Sequence, residues 1–175
     1  GTTGVSLVQD GVVTAADLSS TLDLSGKTVT LPAGTGGKVL QVVHATNSTN
    51  NAVTSTTYVD TAVTASITPS STSSKILVIG AVQLMTIHNG GAGADAYFRI
   101  LNSTASASAY PHYLQNYDYG GSGPLDDSPR ACQWLDSPSS TSAQTYLIQV
   151  KRGSGDNVTV NNGGTSFLTL MEIAG

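Results

Sequence analysis

The sequence predicts an all-β fold, an antiparallel β-sandwich of jelly-roll type, and three observations carry that expectation. Helix-forming material is scarce. Only 10% of the 175 residues are charged, against about 25% in an average soluble domain, and Glu172 is the sole glutamate among eleven acids. Long helices need Glu, Lys, Arg and Leu on their wet face, whereas Ser, Thr and the 19 Gly found here favour turns and extended chain. Short apolar runs recur, many with period two, separated by Gly-, Ser- and Asn-rich turns. A chain of this length also makes one domain of ordinary size, burying roughly 70% of its unfolded surface.

The first 37 residues stand apart. Residues 12–22 offer at most a short helical turn, residues 28–31 a small strand stopped by Pro32, and residues 33–37 a Gly-rich linker. So little apolar surface does not fold alone, so residues 1–37 are expected as an arm or stem packed on a neighbour, ahead of a sandwich over 38–175. With no initiator Met and no leader-like segment, the chain reads as a processed product or a C-terminal fragment.

In the second part, residues 39–45 form a Val-rich strand. Val63, Ala65 and Ile67 alternate with Thr64, Ser66 and Thr68 as a half-buried strand ended by Pro69, and residues 70–74 turn the chain. Residues 75–85 are apolar on both faces, which asks for a central strand covered on each side. Residues 89–93 read as a loop, and 96–101 as a strand with Arg99 on the face opposite Phe98 and Ile100. Strands over 131–135, 145–150, 158–160 and 167–173 bring the total to roughly eight to ten. Tyr146, Ile148 and Val150 share one face, as do Phe167, Met171 and Ile173.

Charge and motifs narrow the function classes. Seven Lys plus Arg against eleven Asp plus Glu give −4, which argues against a nucleic-acid or anionic-membrane partner held by a basic face. No apolar run approaches the ~20 residues that span a bilayer, so no membrane insertion is expected. The single cysteine, Cys132, excludes an intramolecular disulfide or a CxxC centre. The string Gly120-Gly121-Ser122-Gly123-Pro124 has the wrong spacing for a nucleophile elbow, and no HExxH, Walker or GxGxxG motif occurs. Asp118, Asp126 and Asp127 fall in one expected loop, but at no calcium-binding spacing. A non-enzyme without cofactor or metal is the expectation.

Residues 109–121 are the most distinctive segment, with four of the seven tyrosines in a region without clean alternation. Tyrosines on loops give rigid amphipathic contact area and stack on sugar C–H surfaces. Tyr110, His112, Tyr113, Tyr117 and Tyr119 are therefore the candidate receptor-binding residues, the alternative being packing at one end of the sandwich or a subunit contact. Trp134, flanked by Cys132 and Leu135, reads as core or interface.

The strings at 22–32 and 37–43, at 67–78, and at 135–138, 145–146 and 168–173 resemble the C-terminal head domains of tailed-phage fibre proteins from environmental and marine phages. The resemblance implies a virion structural protein on a tail fibre or the capsid surface, outside the cell. It implies a homotrimer in which residues 1–37 wind into a stem that meets other virion proteins. The sandwich would be the distal head, attaching to a host cell-surface glycan or protein. Residues 105–130 depart from the pattern, and recognition loops vary on a constant scaffold, so host specificity is expected there. A capsid decoration or head-fibre protein is the alternative. A depolymerising tailspike would need paired carboxylates in a groove, for which this chain is poor material. A TNF/C1q-like ligand rests on fold alone.

Overall fold

A computed structural model describes residues 38–89, 92–108, 112–119, 122–153 and 157–175. The expected arm over residues 1–37 lies outside the described residues.

Among the described residues eleven strands, all paired antiparallel, build two sheets. The larger contains β1 (Val39–Asn47), β2 (Asn51–Val53), β4 (Lys75–Asn89), β8 (Ser122–Asp136), β10 (Asn157–Val160) and β11 (Ser166–Ile173). The smaller contains β3 (Val59–Ile67), β5 (Ala92–Asn102), β6 (Ala107–Ser108), β7 (His112–Tyr119) and β9 (Gln144–Arg152). β4 is the spine of the larger sheet. β8 runs along one side of it, while β11 and then β10 line the other. β1 continues outward from β11, and β2 from β10. In the smaller sheet β5 lies between β9 on one side and β7 and β6 on the other, with β3 beyond β9. The chain changes sheet at six of the ten connections; β1–β2 and β10–β11 stay in the larger sheet, and β5, β6 and β7 stay in the smaller.

Alternation decides what lies between the sheets. Ile76, Val78, Val82 and Leu84 of β4 meet Phe98, Ile100, Tyr146, Ile148 and Val150 of the smaller sheet, with Val63, Ile67, Leu168 and Leu170 in the same core. Each of these is at most 3% exposed. The sheets come close enough at Gly80 that a Cβ there would stand 3.2 Å from both Ile148 Cδ1 and Leu168 Cδ1. Such a core is the main stabilising term of a domain this size.

Several sequence expectations change. Phe167, Met171 and Ile173 do share a face, but it is the outer one; Leu168, Leu170 and Glu172 point inward. Residues 112–119 of the Tyr-rich segment, Asp118 among them, lie in β7, and Asp126 and Asp127 lie in β8, rather than in loops. β8 carries Pro124 and Pro129, which an edge strand tolerates, and among the described residues it pairs only with β4.

Candidate functional site

The strand β7 places the tyrosine candidates along β5. Its backbone register sets His112 opposite Phe98, Tyr113 opposite Tyr97 and Tyr119 opposite Ala92. Tyr117 falls where the register shifts between Ala92 and Ala94, and Tyr110 lies outside the described residues. The stretch escaped strand detection because its side chains do not alternate apolar with polar. Its partner β5 does alternate, and the pairing follows from β5.

Beside Tyr113's strand, the outer face of the smaller sheet holds a cluster that sequence reasoning missed. Tyr97 pairs with Lys151 across β5 and β9, and Arg99 pairs with Gln149 one step further on. The Arg99 guanidinium carbon stands 4.2 Å from the centre of the Tyr58 ring. The Lys151 ammonium lies 5.1 Å from the same ring and 4.6 Å from that of Tyr97. Arg99 Nε donates to Gln149 Oε1 at 2.9 Å, and Gln149 Nε2 donates to Asp60 Oδ1 at 2.8 Å. Tyr58 is brought over this face by the loop before β3. The Ser55 hydroxyl accepts from Thr57 N, and Arg152 N donates to Ser55 O at 2.8 Å. Gly153 makes room for Tyr97, whose Cε2 would stand 2.6 Å from a Cβ at that position. Burial pushes the Tyr58 phenol up against the lowering effect of Arg99, so it stays neutral and keeps its proton to donate. The available signal was the alternation that puts Tyr97 and Arg99 on one face; Lys151 and Tyr58 arrive only through the fold.

The larger sheet has the opposite outer face. Cross-strand register lines up Val42, Met171, Leu77 and Leu135 in one row. The next rows are His44, Thr169, Ile79 and Gln133, then Thr46, Phe167, Ala81 and Ala131. Within these rows there is no charged side chain, and His44 Nδ1 shares a 2.8 Å hydrogen bond with Thr169 Oγ1. Four large apolar side chains stay about half exposed among the described residues: Val39 at 50%, Leu40 at 48%, Val42 at 55% and Leu135 at 52%. All four lie on this sheet. β4 is indeed apolar on both faces, but the chain's own second sheet covers only one.

The buried acids serve the fold. Glu172 Oε1 accepts from Ser70 N at 2.7 Å and from Ser70 Oγ at 2.6 Å, while Oε2 accepts from Gln41 Nε2 at 2.6 Å. Burial alone would raise its pKa; the Ser70 and Gln41 bonds outweigh that and take it down to about 2. The Ser74 hydroxyl, buried alongside, adds a weaker pull without a hydrogen bond of good geometry. Asp136 accepts from Tyr146 and Asn102. Burial pushes the Cys132 thiol up to about 11, which makes it a poor nucleophile. Among the described residues no three His, Cys, Asp or Glu gather to hold a metal ion.

No protein-family model matches the chain, and no curated protein matches it. Among solved structures it is similar to VP2 of infectious bursal disease virus. The VP2 subviral particle gives 12% identity over 77% of this chain and 33% of that chain, with a TM-score of 0.43. The T13 viral particle of the same virus gives 8% identity over 84% and 40%, with a TM-score of 0.37. The chain thus spans about a third to two fifths of the length of those proteins. Similarity at this level assigns neither family nor activity.

Proposed function

We propose that the chain is the head domain of a virion attachment protein of the tailed-phage fibre type, non-enzymatic and homotrimeric, with a jelly-roll sandwich as its scaffold. The observation that carries the reading is the polarity difference between the two outer faces. One face is apolar and uncharged and suits burial. The other presents tyrosines, cations and amides and suits recognition. With β1 and β2 counted as one strand, and β10 and β11 as another, the sheets have the interleaved order of two Greek keys, which supports the jelly-roll assignment.

The occupant of the apolar face is two further copies of the same chain. Four strands at about 4.8 Å spacing and five residues at about 3.3 Å give a plan area of roughly 300 Å². That is the size of the largest patch on a typical soluble monomer, and under half of one partner's share of a standard interface. Because its central rows carry no charge, identical copies meet there without repulsion despite a net charge of −4 per chain. Three copies turning this face to a shared axis would cover it, with the open edge of β1 in one copy meeting the face of the next. Three linked recognition faces then multiply a modest affinity for a host-surface glycan or protein. Residues 1–37 would serve as the arm that joins the rest of the virion.

The same apolar face also suits a flat seat on a capsid, the reading as a decoration or head-fibre protein. The test is adsorption of the fluorescently labelled chain to a panel of bacterial cells and to empty capsids. Attachment predicts saturable binding to some cells that competes with phage adsorption, and loss of that binding in a Tyr113→Ala/Tyr117→Ala variant of unchanged mass. Binding to capsids and to no cell favours decoration and contradicts attachment.

A further inference from the structure

We propose that the outer face of the smaller sheet, at Tyr58, Tyr97, Arg99 and Lys151, is a binding site for an acidic saccharide whose carboxylate is held by the two cations. The proposal rests on the attachment reading for its biological setting but on its own geometry for its chemistry.

Two positive charges lie within 5.1 Å of one ring centre in a chain whose net charge is −4. Like charges brought together cost free energy unless something offsets them. Here the Tyr58 ring does so in part, its electron-rich face attracting both cations. Within the cluster Arg99 contacts the Tyr58 ring and the Gln149 amide, and Lys151 contacts the Tyr58 and Tyr97 rings. The nearest acid in the hydrogen-bonded chain, Asp60, is engaged by the Gln149 amide instead. Asp95 shares the face two residues before Tyr97, beside Gly153 and diagonal to Lys151 in the register. Gln149 fixes the Arg99 guanidinium through Nε, and a guanidinium anchored there presents its terminal N–H groups as a fork matched to a carboxylate. An anion entering between Arg99 and Lys151 therefore relieves their repulsion and gains charge-assisted hydrogen bonds.

Position on the sheet selects a saccharide over an acidic peptide. A peptide that binds a sheet does so at an edge, where unpaired backbone groups extend the ladder. This cluster sits over β5 and β9, interior strands that each have a neighbouring strand on either side, β9 and β7 for β5 and β3 and β5 for β9. A ligand there meets side chains only. Phenol rings offer flat area to sugar C–H groups and hydroxyls to sugar hydroxyls, which is what an acidic sugar needs and an extended peptide does not use.

The test is calorimetric titration of the whole chain with an oligogalacturonate, with its carboxyl-reduced neutral counterpart and with oligoglutamate, for wild type and an Arg99→Gln/Lys151→Gln variant. Both side chains are partly exposed, and unchanged solution mass and melting temperature certify the variant's fold. The expected result is binding of oligogalacturonate that weakens with salt and falls about tenfold or more in the variant, with weak binding of the other two probes. Equal affinity for the reduced sugar, equal affinity for oligoglutamate, no saccharide binding by wild type, or full binding by the variant would each overturn the proposal. Cell adsorption separates it from the attachment reading. If the variant adsorbs like wild type, the acidic-sugar site falls and attachment stands; if wild type adsorbs to no cell, attachment itself falls.

Discussion

The Tyr146 hydroxyl donates to Asp136 Oδ2 at 2.8 Å, joining the two sheets across the interior of the sandwich. Tyr146 belongs to β9 of the smaller sheet and Asp136 to β8 of the larger. Asn102 of β5 donates to the same oxygen at 3.1 Å and to Gln144 Oε1 at 3.1 Å, while Ser137 N donates to Asp136 Oδ1 at 2.8 Å. The carboxylate thus has its buried lone pairs satisfied without any cation. Burial, then the bond to Asp136, raises the Tyr146 pKa far above the ordinary phenol range, so the hydroxyl is a permanent donor.

Removing that donor is expected to destabilise the domain. Tyr146→Phe leaves Asp136 two other donors and should cost about 1–2 kcal/mol. Asp136→Ala strands the Tyr146 hydroxyl and one N–H of the Asn102 amide together and should cost about 3 kcal/mol or more. Urea unfolding at fixed chain concentration measures both; a Tyr146→Phe midpoint equal to wild type would contradict the sheet-bridging role.

Acid should unfold the protein through Glu172. Its folded pKa, about 2, lies below the ordinary 4.5, so the unfolded chain takes up the proton first. The stabilisation is fully present above about pH 4.5 and is lost as pH falls toward 2, amounting to about 3 kcal/mol. Glu172→Gln should lower stability at neutral pH and flatten its dependence between pH 4.5 and 2. An unfolding midpoint with the wild-type slope in that window would place the acid sensitivity elsewhere.

Association through the apolar face predicts a specific pair of variants. Val42 and Leu135 are 55% and 52% exposed within one chain, so Val42→Lys/Leu135→Lys leaves the sandwich folded while placing charge at the ends of the Val42–Met171–Leu77–Leu135 row. The expected species is a folded monomer with the wild-type circular dichroism spectrum. A trimer that survives the double substitution would locate the subunit contact on another surface.

Cys132 should behave as core. It is 6% exposed and its thiol is raised to about 11, so maleimide at pH 8 should leave the native protein unlabelled and modify it fully in denaturant. Rapid native labelling would mean that β8 opens from β4.

Much of the scaffold is legible in local patterns, because a half-buried strand writes its burial into alternate residues. Val63, Ala65 and Ile67 in β3, and Tyr146, Ile148 and Val150 in β9, are all buried as their alternation requires. β4 is also legible, though among the described residues the second sheet covers only one of its two apolar faces. The strand β7 was not legible, since Tyr, Gln, Asn and Asp give no period and its place comes from pairing with β5. The Tyr58–Arg99–Lys151–Tyr97 cluster was hidden for a related reason. Tyr58 and Lys151 are 93 positions apart, and only register and a pinned loop bring them together.

The measurement that tests the central claim most directly is the solution mass of the chain by light scattering coupled to size exclusion. A trimeric attachment head predicts a mass near three times 17.8 kDa, independent of loading over a wide range. A mass of 17.8 kDa at all concentrations would leave the apolar face of the larger sheet uncovered by its own kind and contradict the account.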